Sequence, residues 1–252
     1  MATTCDAFLG GRVQVLQPRH GYRAATDPVF LAAACPAQPG QSVLELGCGV
    51  GVASLCLAAR VPELSLVGVE RQPAYAALAR QNAGAHDLTI VEADLAALPV
   101  DLRQRSFDHV IANPPYFATG DGTAALDAGR EAANREETPL ADWIATARAR
   151  LLPKGWLTLI QTAERLPDCL AALGQGFGAV TVLPIQPRVG RAATRVVIRA
   201  RKSSRAPFRL LPAFLIHEGA AHPGDRPDFT TQAEAVLRHA APLGFAEAVF
   251  RI

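Results

Sequence analysis

The chain has 252 residues, half of them hydrophobic and 19% charged, with a formal net charge of +2. That is ordinary for a soluble globular protein and enough for one sizeable core. No apolar run approaches the ~18 residues of a membrane span, and the start, "MATTCDAFLGGR", lacks the basic-then-apolar pattern of a signal peptide. A cytoplasmic protein without a membrane partner is expected. The five cysteines are odd in number and scattered, with no CxxC, and the six histidines show no HxxxH or HxH spacing. Neither a disulfide framework nor a bound metal is expected.

Residues 1 to 41 precede the first clear strand and contain "QPRHGYRAATDPVFLAAA". They read as an N-terminal segment packing near a ligand site, ahead of a main domain over 42–252. Thr26 and Asp27 stand before an apolar helix, where an N-cap is the plain reading. From Ser42, "SVLELG" reads as a buried strand, "VGVASLCLAAR" as a helix and "LSLVGVE" as a second strand. "QPAYAALARQNA" follows as a helix with Pro73 near its start, where a missing N–H costs nothing. "LTIVEA" and "FDHVIAN" are the third and fourth strands. After a polar connection over 118–138, "TPLADWIATARARLL" reads as a helix that Thr138 can cap and Pro139 opens. The turn "PKG" leads to a fifth strand, "WLTLIQ", then a weaker helix around Leu166 to Leu173, then "AVTVLPI" and "RVVIRAR". Alternation of strand and helix at this spacing means a mostly parallel seven-stranded sheet with helices on both faces. The last two strands lack a helix between them, so an antiparallel hairpin is expected at one edge.

The fourth strand runs into "NPPYF", Asn113 to Phe117. Pro114 and Pro115 remove two backbone donors and fix two φ angles, so the stretch is a stiff loop holding the Asn113 amide and the Tyr116 ring. The long connection behind it is, at that length, usually functional or disordered, and its position favours a substrate loop. Upstream, "VLELGCGVG" places Gly47, Gly49 and Gly51 between a strand and a helix. Glycines let a ligand approach the main chain, and the helix start favours a negative group such as a carboxylate. The spacing G-x-G-x-G misses the dinucleotide fingerprint G-x-G-x-x-G, and Glu45 would repel a pyrophosphate. A ligand with an ammonium group and an amino-acid carboxylate suits the loop better. Glu70 ends the second strand, where an acid can accept from ribose hydroxyls, and Asp94 ends the third, where it can face an adenine amine. Such strand ends converge on the crevice of an open α/β sheet.

On these residues the chain resembles the class I S-adenosylmethionine-dependent methyltransferases, across roughly Gln41 to Arg201, which implies a Rossmann-like α/β fold. "NPPY" narrows the resemblance to enzymes that methylate exocyclic base amines or glutamine amides. "QPRHGYRAATDPVFLAAA", the "NPPYF" form and "IHE" followed by "FTTQAEAVLR" are similar to the bacterial tRNA(Val) adenine-N6 methyltransferases, which act on the adenosine 3′ of the anticodon. The resemblance implies S-adenosylmethionine held by Glu45, Gly47, Gly49, Gly51, Glu70 and Asp94, with Asn113 at the same site. It also lays the Thr26–Asp27 segment over the cofactor's methionine end.

An adenine amine is conjugated with its ring, so its lone pair is unavailable. Acceptors for both N–H bonds favour a pyramidal nitrogen, and the Asn113 oxygen and Pro114 carbonyl are such acceptors. Alignment is then the main catalytic term. Tyr116 can stack on the base, while Phe117 lines the same pocket or packs beneath the loop. From Cys169 to His217 there is no acid but eight basic residues, leaving 17 basic against 23 acidic residues elsewhere. Such asymmetry fits an anionic partner such as tRNA or a charged strand edge. Period-2 alternation puts Arg195, Arg199 and Arg201 on one face, expected to look outward as phosphate contacts; Arg19, His20 and Arg23 are further candidates. Two alternatives stay open: a protein glutamine as acceptor, and a cofactor-binding regulator without turnover.

Overall fold

The computed structural model describes residues 1–116, 138–222, 224 and 228–245. Phe117, the 118–138 connection apart from Thr138, and the tail from 246 onward lie outside them.

The N-terminal segment forms a hairpin that the sequence reading did not name. Strand β1 (Thr3–Phe8) pairs antiparallel with β2 (Val13–Pro18), Thr3 opposite Pro18. Its sequence signal is the alternation in "VQVLQ" after a Gly-Gly turn. The Asn82 side chain ties the hairpin to the rest of the chain, accepting from the Leu16 N–H at 2.8 Å and donating to the carbonyls of Leu16 and Val50 at 3.0 Å. Helix α1 (Asp27–Ala34) follows, and all but its first residue are buried. Thr26 holds the N-cap position, but its side chain makes no capping bond; its carbonyl takes the N–H groups of Val29 and Phe30 instead. The expected hydroxyl cap is thereby corrected: Thr26 is itself turned into the helical region at φ −82°, ψ −26°, and a capping side chain needs an extended backbone there.

Five parallel strands form the centre of the sheet: β3 (Ser42–Leu46), β4 (Ser65–Glu70), β5 (Leu88–Glu92), β6 (Phe107–Ala112) and β7 (Leu151–Thr162). Their order is β5-β4-β3-β6-β7. The chain steps outward from β3 to β5 and then returns to the other flank of β3 as β6. That reversal opens a crevice at the carboxyl ends of β3 and β6. The helices between them are α2 (Val52–Arg60), α3 (Pro73–Ala83), a short α4 (Val100–Gln104) and α5 (Leu140–Arg150). Pro139, rather than Thr138, occupies the N-cap of α5, and no side chain caps it. "PKG" is not a turn ahead of a strand but an irregularity inside β7. Leu151 pairs with Phe107 and Trp156 with His109, so four residues are accommodated against one, with Lys154 at φ 64°.

After α6 (Leu166–Leu173) come β8 (Phe177–Gln186) and β9 (Arg195–Lys202), an antiparallel hairpin as expected. It lies at one side of the sheet, as expected, and within it the two strands are ordered by burial. Strand β9 inserts between β7 and β8, antiparallel to both, so the basic strand is interior rather than an edge. The reason lies in the unbroken "VVI": Val197 joins the core under one face of the sheet and Val196 and Ile198 the core under the other, and an edge position would cover them less well. Two short strands, β10 (Arg209–Leu210) and β11 (Phe214–Leu215), lie parallel along the outer side of β8. They bring the seven expected strands to nine. Helix α7 (Thr231–His239) closes the described chain, capped by the Thr230 hydroxyl.

Strand periodicity divides the apolar side chains into two cores. Val43, Leu66, Ile111, Ile160 and Val197 face α1, α2, α3 and α7, with the hairpin's Val13 and Val15. Leu44, Val67, Val110, Leu157 and Ile198 face α4, α5 and α6. Among the described residues no helix is long and apolar enough to cross a membrane.

Candidate active site

At the end of β3 the chain turns through Gly47, Cys48, Gly49, Val50 and Gly51 into α2. The three glycines have φ of 66°, 56° and 90°, a region that L side chains enter only at a cost. Two of them differ in what surrounds them. A Cβ on Gly47 would meet the Trp143 ring of α5 at 2.5 Å, whereas a Cβ on Gly49 would meet nothing within 4 Å. Gly47 is therefore closed off by the protein, and Gly49 faces open space at the crevice.

Two carboxylates brace this loop. Glu70, ending β4, accepts from the Gly49 N–H and the Gln72 N–H, both at 2.8 Å, and burial raises its pKa. Glu45, buried in the middle of β3, accepts from the Ser54 N–H at 3.0 Å and from the Ser54 hydroxyl. Burial pushes its carboxyl up to about 8, against the pull of those two bonds. Asp94 lies two residues beyond the end of β5, not at it. Its carboxylate takes the Ala96 N–H at 2.9 Å and starts a short 3-10 turn.

On the other flank, β6 ends at Ala112 and delivers the Asn113–Tyr116 loop to the same crevice. With no proline N–H groups to bond, the loop is held by its carbonyls. The buried Gln161 of β7 donates through Nε2 to Pro115 O at 3.1 Å and to Pro114 O at 3.4 Å, and its own oxygen takes the Thr162 N–H at 2.8 Å. The Tyr116 hydroxyl donates to the Asp27 carboxylate and lies 3.0 Å from the Asn113 amide oxygen. Arg195 donates through Nε to Asp27 at 3.0 Å, and its guanidinium sits 4.4 Å from the centre of the Tyr116 ring.

The crevice wall thus unites Glu45, Gly47, Gly49, Glu70, Asp94 and the Asn113–Tyr116 loop, with Tyr22 and Ala24 contributed by the N-terminal segment. Other expected site residues stand elsewhere. Thr26 is exposed, and neither Thr26 nor Asp27 forms part of the described wall. Arg23 pairs with Asp6 and also donates to Thr4 and Pro18 O, and Arg19 donates to Thr3 O. His20 is exposed. The expected outward basic face of β9 is corrected. Arg199 is turned inward, donating to Ala34 O at the end of α1 and covering the Phe245 ring. Arg201 donates to Lys154 O and pairs opposite Trp156, at the amino end of β7. At about 3.4 Å per residue it stands roughly 20 Å down the strand from Arg195. The apolar helix α1 covers this face of the sheet at Arg195 and Arg199, which fold against it, whereas Arg201 lies over β7.

Four contributors escaped the sequence reading. Gln161 had a signal, a polar residue closing the apolar run "LTLI". Trp143, whose buried indole N–H has no partner among the described residues, walls the crevice at Gly47. Tyr22 and Tyr75 share two contacts, the Tyr22 N–H to the Tyr75 oxygen at 2.9 Å and the Tyr75 hydroxyl to Tyr22 O at 3.3 Å; nothing in the spacing of the two residues announces it.

The methyltransferase small domain is the family whose description matches residues 26–188, well over half the chain. The chain belongs to that family. It is similar to a tRNA1(Val) (adenine(37)-N6)-methyltransferase of Porphyromonas gingivalis, 34% identical over 174 residues, covering 65% of this chain and 68% of the relative. It is also similar to the enzyme of that name from Actinobacillus succinogenes, 29% identical over 209 residues, covering 79% of this chain and 85% of the relative. Among solved structures it is similar to a predicted O-methyltransferase from Agrobacterium tumefaciens, with a TM-score of 0.70, 27% identity, and coverage of 86% of this chain and 98% of that one.

The methyltransferase uses S-adenosylmethionine, and the crevice fits that cofactor. Gly49 opens into free space that a side chain would fill, the buried acids Glu45 and Glu70 brace the glycine loop, and Trp143 holds an N–H with no partner among the described residues. Glu45, Glu70, Asp94 and the glycine loop are the residues that would hold it. When bound, it supplies a methyl group on a positively charged sulfur, which is electrophilic without further activation.

Proposed function

We propose that this methyltransferase moves the methyl group of S-adenosylmethionine to the N6 amine of an adenine in tRNA, with Asn113, Pro114, Pro115 and Tyr116 as the catalytic loop. The observation that carries the reading is the loop itself: two oxygen acceptors and an aromatic ring on a proline-stiffened turn, braced from below by Gln161, on the rim of the cofactor crevice. The Asn113 oxygen and Pro114 carbonyl accept the two N–H bonds of the amine. The nitrogen lone pair is thereby released from the ring and aimed at the methyl group. Holding the reacting atoms about 3–3.5 Å apart supplies most of the acceleration, so no side chain need act as a strong base. The names of the relatives make adenine 37 of tRNA1(Val) the first acceptor to test. In this reading residues 1–41 complete the site wall, and 42–252 form the catalytic domain. Phe117 stays a candidate substrate contact.

Phosphate contacts fall to side chains on the rim. The exposed Arg19 and His20 precede Tyr22 on the crevice wall, and the exposed Arg191 lies in the β8–β9 turn that leads into Arg195. Arg199 and Arg201 are committed to backbone carbonyls. The test is incubation with methyl-labelled cofactor and either total bacterial tRNA or bacterial protein, followed by nucleoside and amino-acid analysis. Label in N6-methyladenosine is expected. Label in methylglutamine instead would replace the RNA acceptor by a protein one, since an amide presents the same two N–H groups.

A further inference from the structure

We infer that Asp27 and Arg195 are positioning residues for the catalytic loop: they fix the Tyr116 ring from behind and determine which end of the Asn113 amide faces the acceptor. This inference rests on the reading of the loop as the amine-binding element. It moves Asp27 from the cofactor and Arg195 from the phosphates of the substrate to a shared task.

The Tyr116 hydroxyl has one hydrogen and two neighbouring oxygens, the Asp27 carboxylate and the Asn113 amide. It cannot serve both, and a carboxylate is the stronger acceptor. With the hydrogen given to Asp27, the phenol oxygen is an acceptor toward Asn113. A half-turn of the amide lets Nδ2 donate to it, and the Asn113 carbonyl then goes to the crevice, where the amine needs an acceptor. Without Asp27 the hydroxyl would donate to the Asn113 oxygen and take away that acceptor. Arg195 completes the device in two ways. It pairs with Asp27 at 3.0 Å, holding the carboxylate in place, and it covers one face of the Tyr116 ring at 4.4 Å. A guanidinium on one face leaves the opposite face for a base, so stacking is single-sided. The three groups come from residues 27, 116 and 195, which the fold brings together from the N-terminal segment, the end of β6 and the start of β9. The pairs are 89 and 168 residues apart in the chain, so no local turn needs these contacts.

The experiment is a double-mutant cycle on kcat with Asp27→Asn, Tyr116→Phe and both, with cofactor affinity measured by calorimetry on each. Asp27→Asn removes the charge that outcompetes the amide and keeps the volume, so the fold is spared. Arg195→Lys, which keeps the charge but loses the flat cover on the ring, provides a second probe. Asp27→Asn should lower kcat about tenfold with cofactor affinity within about twofold of wild type, and should cost little once Tyr116 is already Phe. Arg195→Lys should raise KM for the acceptor more than it lowers kcat. Additive losses across the cycle, or cofactor affinity falling in step with kcat in Asp27→Asn, would return Asp27 to the cofactor site and overturn the inference. Wild-type kcat in Asp27→Asn would overturn it as well. The cycle is run with whichever acceptor the wild type labels, total tRNA or a protein fraction. Failure of the RNA reading is thus seen in the wild type, and failure of the positioning role in the variants.

Discussion

Gly47 and Gly49 stand two positions apart in one loop with nearly the same backbone, yet a methyl group added to each should be felt by different things. At Gly47 the clash is with the Trp143 ring at 2.5 Å, so Gly47→Ala overpacks the protein and should cost about 1–3 kcal/mol of stability, read by denaturant unfolding. At Gly49 the space is empty, so Gly49→Asp should weaken cofactor binding in calorimetry while the fold persists; unchanged affinity would remove the loop from the site. Asn113→Ala separates binding from chemistry. It should retain the cofactor and lose about 100-fold in methyl transfer, the scale of a misaligned reactant, and a wild-type rate would reduce the loop to a rigid turn. Glu45 adds a pH signature. Its carboxyl titrates near 8 in the fold against 4.5 ordinarily, so between those values the folded protein keeps a proton that the unfolded chain has released. The stabilisation from this group is full below pH 4.5 and is lost as pH rises toward 8, by at most about 1.4 kcal/mol per pH unit. In cofactor-free protein, the stability of wild type relative to Glu45→Gln should therefore decline from pH 5 to pH 8, and a flat difference would mean that Glu45 ionises normally.

At the scale of elements, α1 shows what the sequence could and could not disclose. The seven long strands were legible because each is a short apolar run bounded by glycine, proline or charge, and the helices between them carry their own period. The basic face of β9 was legible too, since Arg195, Arg199 and Arg201 share parity. What covers that face was not, because α1 reaches it from residues more than 160 positions earlier, and alternation within a strand says nothing about its partner. Arg60 donates to the carbonyls of Ala32 and Cys35, and Arg199 to that of Ala34, so two cations close the carboxyl end of α1. Such placement favours the helix dipole. Burial lowers the Arg199 pKa to about 10, which fits a guanidinium inside the fold. Arg199→Ala should cost about 1.5–3 kcal/mol, the range for a hydrogen bond to a charged group, and should leave the salt dependence of tRNA binding unchanged. A weaker salt slope with intact stability would restore Arg199 to the RNA contact.

For the whole molecule, the switch of strand order between β3 and β6 sets the glycine loop and the Asn113–Tyr116 loop side by side, and residues 1–41 and β9 close in from the ends of the chain. The acids and glycines of the crevice could be found from sequence because each lies at or within two residues of a strand's carboxyl end or in the loop that follows it. The bracing role of Gln161 and the joining of Asp27, Tyr116 and Arg195 into one cluster could not, since their partners meet only through tertiary structure. Recognition of a large polyanion belongs at this scale. Arg191→Glu, on the exposed β8–β9 turn, should weaken tRNA binding and lower its salt slope by about 0.7 to 0.9 for the lost contact, with cofactor affinity unchanged; equal slopes would take that turn out of the interface. Methylation of N6 of an adenine in tRNA at this crevice is read by locating the methyl group. Purified unmodified tRNA1(Val) is treated with labelled cofactor and wild-type or Asn113→Ala protein, then digested with ribonuclease and mapped by mass. N6-methyladenosine at position 37 is expected with wild-type protein and almost none with the variant. A methyl group on another atom of the tRNA, or equal labelling by both proteins, would contradict this assignment.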